Sequence, residues 1–254
     1  MAMAAEAEQA GWDGFFLWDH VSWNPAWGPT PLIADPWVCL AAAATTTSSL
    51  LLGTLVTPLA RRRPQVVARQ VVSLDHLSGG RAVLGVGLGV EFEYESFGES
   101  ATGLGARLDE ALAVLTGLLR GEPFDFDGDH HVVHSPPLLP TPVNGTIPIW
   151  VGGHWPNRRP FRRAARFEGV VPRKQGNATG LIGVDDLVAI RATIGRDDDD
   201  YAYVACGSTT SPDDIDTVSS FDDAGANWWL ESLHPFGGRD DAMRDRLRAG
   251  PPRG

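Results

Sequence analysis

Cysteine is almost absent: Cys39 and Cys206 are the two in 254 residues. They lie far apart and form no C-x-x-C, no metal-finger spacing and no disulfide framework, so a reduced, cytoplasmic setting is expected. Positive charge is also scarce. Lys and Arg number 21 against 32 Asp and Glu, a net charge of −11. Nucleic-acid and anionic-membrane surfaces need a basic stripe, so neither partner is expected, although a local cluster could still hold a small anion. Long apolar runs are missing. A membrane span needs about 18 apolar residues, but residues 38–44 give way to Thr45, Thr46, Thr47, Ser48 and Ser49. The opening Met-Ala-Met-Ala-Ala-Glu has neither a basic start nor a long apolar core, so no signal peptide is expected. No internal repeat is visible.

What is present suits a globular protein. The apolar fraction is 43%, too high for a disordered chain. The length allows one large domain or two small ones, and a single domain over 1–254 is expected. Residues 2–10 read as a helix closed by Gly11. A short strand over 14–18 then runs into Asp19-His20. Asp35-Pro36 caps a helix reaching about residue 47. A strand over 50–57 and a helix from Pro64 to Ser78-Gly79-Gly80 follow, with Val67, Val71 and Leu74 on one face. The strand over 82–86 enters the glycine turn GVGLG. Leu108, Ala111, Leu112, Leu115, Leu118 and Leu119 form a helical stripe. Further strands are expected at 147–151, ending in Gly152-Gly153, and at 168–172, 201–206 and 227–230. A basic helix should cover 158–167. Residues 121–144, rich in Pro, His and Asp, read as a long irregular insert.

This alternation means an α/β protein with parallel strands. At this length it fits a (β/α)8 TIM barrel, with a doubly wound open sheet as the alternative. Seven strands are counted, not eight. The missing one would precede the first helix, where this sequence begins.

In such a barrel the working groups stand at the C-terminal strand ends. Those positions hold Asp19 and His20; Thr54, Leu55, Val56 and Thr57; Gly85, Gly87 and Gly89; and Gly152, Gly153 and His154. Glycines there let backbone approach a flat or phosphorylated ligand. His20 has the chemistry of a general acid or base, or else is satisfied by neighbours at a strand end. Arg158 and Arg159 open the basic helix, where they suit a phosphate or a solvated face; Arg61, Arg62 and Arg63 form a second cluster. Trp18, Trp23 and Trp150 stand at strand ends and suit an apolar pocket, whereas Trp12, Trp37, Trp228 and Trp229 read as core or interface. GVGLG falls short of the dinucleotide pattern, since Val90 stands where a third glycine belongs and Glu91 and Glu93 follow. His130, His131 and His134 lie between glycine and prolines, against a helix, and no metal site is expected.

Taken in order, GWDGFFLWDH, LGTLVTPLARRRP, LDHLSGGRAVLGVGLG, FGE, IPIWVGG, RRAARFEGVVP, GANWWLESL and RAGPPR resemble the bacterial-luciferase-like family of flavin- and deazaflavin-dependent oxidoreductases over nearly the whole chain. The resemblance implies a (β/α)8 barrel binding coenzyme F420 or FMN at the C-terminal strand ends, for hydride transfer or monooxygenation of a small organic substrate. It implies that Asp19 and His20 lie beside the ring, with His20 catalytic. It also implies that a bulge near Leu55-Val56, often carrying a non-prolyl cis peptide, supports the ring, with Thr54 alongside. Gly87, Gly89, Gly152, Gly153 and Arg158 would contact the cofactor's side chain and phosphate. It further implies a homodimer and, for a monooxygenase, a separate flavin reductase. Two departures stand out. The family's first strand is not in this sequence, so either translation starts upstream or the barrel is incomplete and impaired in cofactor binding. Sugar-phosphate dehydrogenases of the deazaflavin branch carry a glutamate directly after the glycine turn, where this chain has Val90.

Overall fold

The computed structural model describes residues 2–176, 179–233 and 240–252. Helix α1 (Ala2–Gln9) leads to strand β1 (Gly14–Leu17), a 3-10 turn (Pro25–Trp27), α2 (Pro36–Ala44), β2 (Leu51–Pro58), α3 (Pro64–Ser78) and β3 (Ala82–Gly87). Then come α4 (Glu91–Glu95), α5 (Leu104–Leu119) and the short strands β4 (Phe124–Asp127) and β5 (Val132–Ser135). The chain continues through β6 (Ile149–Trp155), α6 (Arg158–Ala164), β7 (Gly169–Lys174), α7 (Val184–Ile194), β8 (Ala202–Gly207), α8 (Ile215–Asp223), β9 (Trp228–Glu231) and α9 (Asp240–Ala249). The fold is α/β, of the TIM-barrel class. The seven strands read from the sequence are β1, β2, β3, β6, β7, β8 and β9. Two compact units are distinguished: Phe16–Ile147, and Met1–Phe15 with Pro148–Gly254.

In the Phe16–Ile147 unit, β2 and β3 pair in parallel from Leu52 opposite Ala82 to Pro58 opposite Gly87, with a bulge between Thr54 and Thr57. A Cβ on Gly53 would stand 2.0 Å from the Val83 carbonyl oxygen, and one on Gly85 2.1 Å from that of Thr54. Only glycine permits that approach. Asp35 caps α2 by accepting the Val38 amide, with Pro36 in the first turn. Helix α3 ends at left-handed Gly79, whose amide reaches back to the Asp75 and His76 carbonyls. The expected stripes are the buried ones: Val67, Val71 and Leu74 on α3, and Leu108, Ala111, Leu112, Leu115 and Leu118 on α5.

The segment expected to be irregular holds an antiparallel hairpin, Phe124 opposite Ser135 through Asp127 opposite Val132. Its Phe-Asp-Phe-Asp alternation is a period-two strand signal, and Asp127-Gly128 opens the turn. The ring of Phe124 packs where a Cβ on Gly117 of α5 would be, 2.2 Å from its Cε2. Glu110 accepts the amides of Asp129, His130 and His131, and His134 Nδ1 lies 2.8 Å from Asp125. Among the described residues, no group of three or more His, Cys, Asp or Glu could hold a metal ion.

In the other unit β6 pairs β7, β7 pairs β8 and β8 pairs β9, all in parallel. Strand β6 does not stop at Gly152-Gly153. Its ladder continues through His154 opposite Arg173 and Trp155 opposite Lys174. Helix α6 closes at Ala164, short of residue 167, and the Arg166 and Phe167 amides bond back to Arg163 and Ala164 in a tighter turn. Helix α1 is tied to α9 by Glu6, which pairs with Arg244 at 2.7 Å and Arg248 at 3.0 Å. Trp12 Nε1 donates to the Leu247 carbonyl at 2.8 Å. Arg253, which ends RAGPPR, lies outside the described residues. No described helix is long and apolar enough to cross a membrane.

Candidate active site

The Phe16–Ile147 unit gathers most of the expected residues at the ends of β1, β2 and β3. After β1 the chain passes through half-buried Trp18, buried Asp19 and half-buried His20. Two arginines following β2 hold Asp19. Arg62 Nη2 lies 2.6 Å from Asp19 Oδ1, and Arg61 Nη2 donates to the Asp19 carbonyl at 2.7 Å. Arg61 also reaches the second buried acid of the cluster, with Nη1 3.0 Å from Glu93 Oε2, an ion pair outside hydrogen-bond geometry. The side chains of Asp19 and Glu93 are each 1% exposed. Burying such charges is costly unless they are paired, as these are. Asp19 Oδ2 and Ser22 Oγ are buried and find no hydrogen-bond partner among the described residues.

Glu93 sits in the first turn of α4, which Val90 opens immediately beyond the glycine turn. Its Oε1 accepts the amides of Val21 at 2.7 Å and Ser22 at 3.1 Å, and lies 3.3 Å from His20 Nδ1. Burial, the largest single influence, pushes this carboxyl up. The His20, Ser22 and Val21 contacts and the Arg61 charge together outweigh it and hold the group below the ordinary carboxylate range. The neighbouring Tyr94 is fully buried and donates to the Leu88 carbonyl at 2.6 Å, bracing the Gly87–Gly89 turn from behind. Burial pushes its phenol up to about 12, so it stays a donor.

Rings enclose His20. Trp18 meets it edge-on at 5.1 Å and Trp23 at 5.9 Å. Trp27 lies 5.0 Å from Trp23 and 6.1 Å from Phe92. The bulge in β2 carries a cis peptide at Leu55–Val56, where the family resemblance placed one. Thr57 Oγ1 donates to Thr54 Oγ1 at 2.9 Å, which donates to the Gly85 carbonyl at 3.2 Å, so both hydroxyls brace the bulge. A Cβ on Gly87 would meet Val56 Cγ2 at 2.6 Å, and Gly89 has φ +72°. The glycine turn thus fits against the bulge and has the backbone conformation that glycine adopts most readily.

Gly152, Gly153, Arg158 and Trp150 lie in the other unit. Gly152 and Gly153 are half-buried on β6, and a Cβ on Gly153 would stand 2.3 Å from Pro160 Cβ, so α6 packs directly on the strand. Arg158 is exposed in the first turn of α6, after Asn157, which caps it. Trp150 is 4% exposed and packs against Trp228 at 5.2 Å with the rings tilted by 60°, in the core of this unit. Sequence reasoning singled out neither Glu93 nor Tyr94 as a site residue. The available signal was an acid and an aromatic in the first turn after a strand-end glycine turn.

The luciferase-like monooxygenase family matches residues 1–230. The F420-dependent glucose-6-phosphate dehydrogenase of Beutenbergia cavernae is 36% identical over 167 residues, 62% of this chain and 47% of that protein. The protein of the same name from Nakamurella multipartita is 33% identical over 199 residues, 74% of this chain and 56% of its own length. The chain thus spans about half the length of these curated relatives. Among solved structures, the coenzyme F420-dependent tetrahydromethanopterin reductase of Methanopyrus kandleri superposes with a TM-score of 0.77 at 16% identity, over 98% of this chain and 93% of that one. At that identity the likeness concerns the fold.

Proposed function

This chain belongs to the luciferase-like monooxygenase family, and from that premise we propose that it is an oxidoreductase using a flavin-type ring to transform a small organic substrate. Coenzyme F420 is preferred over FMN, because the curated relatives bear F420-dependent names. A hydride exchange is therefore preferred over monooxygenation. The observation that carries the reading is the assembly of Asp19, His20, the β2 bulge and the Gly87–Gly89 turn within one unit. That assembly favours an active protein over an impaired barrel.

The residues fit such a ring. Asp19 Oδ2 is a buried acceptor without a partner among the described residues, which a ring N–H would satisfy. Leu55 and Val56 on the bulge, with Thr54 bracing it, would support the ring face. Gly87 and Gly89 would let backbone lie close to its side chain. Within the other unit, the Gly152-Gly153 backbone and the exposed Arg158 are themselves suited to a phosphate. When bound, the ring supplies the two-electron chemistry. His20 takes a proton from a substrate hydroxyl or returns one to a carbonyl oxygen. Trp18 and Trp23 flank His20, whose side chain remains 23% exposed, whereas Trp150 is buried in the core of its own unit. The quaternary state proposed is a homodimer in the cytoplasm, with a separate flavin reductase as partner only where FMN is the ring.

The test is His20→Ala. Turnover should fall by about 10²–10⁴-fold, the usual worth of a general acid or base, while cofactor affinity and melting temperature change little. Unchanged turnover would remove His20 from the reaction.

A further inference from the structure

Glu93 has no place in the proposed chemistry, yet it is the best-connected carboxylate beside His20. We propose that Glu93 is a positioning residue that fixes His20 as its Nδ1–H tautomer and leaves Nε2 as the basic nitrogen. This rests on the reading of His20 as the acid or base. An ionised carboxylate offers lone pairs and no proton. Two backbone amides, at 2.7 and 3.1 Å, and the Arg61 guanidinium at 3.0 Å all favour Glu93 in that form. The ring nitrogen facing it, Nδ1 at 3.3 Å, must then carry the hydrogen. The opposite tautomer would aim one lone pair at another beside a carboxylate that is 1% exposed. Because the same Oε1 also holds the Val21 and Ser22 amides, it anchors the backbone directly after His20. The Trp18 and Trp23 rings restrict rotation of the imidazole about its own bond. Asp19, the other acid nearby, is already held by Arg61 and Arg62. A histidine whose second nitrogen is held by a buried carboxylate is fixed in tautomer and orientation together.

The experiment needs no cofactor. The protein is labelled with ¹⁵N in its seven histidine rings, and long-range ¹H–¹⁵N spectra are recorded near neutral pH. The His20 signals are identified by their loss in His20→Ala. The wild-type His20 should show the Nδ1–H pattern. Glu93→Met, which removes the acceptor and is checked for folding by circular dichroism, should shift it toward the Nε2–H form. With the cofactor supplied, the same variant should lose about 10–100-fold in kcat, the scale of a lost histidine-orienting partner, with KM nearly unchanged. A wild-type His20 in the Nε2–H form overturns the proposal even where the variant fails to fold. So does a folded Glu93→Met with an unaltered tautomer. The Nδ1–H pattern in a protein that turns over neither F420 nor FMN would uphold the positioning and defeat the functional reading instead.

Discussion

Arg61 is the side chain on which the buried charges of the candidate site depend most. It reaches both acids, and its own side chain is 9% exposed. Arg61→Met removes the guanidinium that faces Glu93, although Asp19 keeps Arg62. Breaking a buried pair by deleting one partner costs about 3–5 kcal/mol, and urea unfolding should show a loss on that scale. A change below about 0.5 kcal/mol, the level of an ordinary surface substitution, would mean that the pairing is idle. Glu93 also sets a pH dependence. Its folded carboxyl lies below the ordinary range, so the folded state binds the proton less readily than the unfolded one. The stabilisation is complete above the unfolded carboxyl pKa and is lost as pH falls through the folded one. Glu93→Gln should therefore lose less stability on acidification than the wild type, measured as melting temperature across the acid range. Equal acid limbs would show that another group governs them.

The β2–β3 pair brings its two backbones into close approach, and its glycines are the reason. At Gly85 a methyl group would stand 2.1 Å from a backbone oxygen, which no side-chain rotation relieves. Gly85→Ala should destabilise by about 3 kcal/mol or more, beyond the usual overpacking cost, whereas Thr57→Val should cost only about 1 kcal/mol for its hydrogen bond. Near-equal losses in denaturant unfolding would contradict that ranking. These strands were legible in the sequence because continuous apolar runs and glycine punctuation mark them. The bulge was legible only through family resemblance, since nothing in the local pattern of Thr54 to Thr57 dictates it. The β4–β5 hairpin was passed over because prolines and histidines around it masked a four-residue alternation. Glu93 was hidden for a different reason. It is one of four glutamates between residues 91 and 99, and only tertiary placement of α4 beside residues 20–22 separates the buried one from Glu91, Glu95 and Glu99, which are exposed.

Across the chain, the excess of acid shapes what can bind. With a net charge of −11, an anionic ligand is disfavoured at long range and must be captured by local arginines or oriented amides. Arg61 and Arg62 are consumed by carboxylates of the site, whereas Arg158 is exposed. Arg158→Ala should therefore weaken an F420-type ligand with its phosphate and leave a phosphate-free flavin analogue such as riboflavin nearly unaffected. Equal weakening of both by titration would remove the phosphate role. The central claim, that this chain binds a deazaflavin or flavin ring for redox chemistry, is tested most directly by titrating the purified protein with F420 and with FMN separately while following ligand fluorescence. The account predicts saturable binding of F420, weaker or absent binding of FMN, and retained F420 binding in His20→Ala. Binding of FMN alone would overturn the deazaflavin preference, and binding of neither ligand would contradict the account itself.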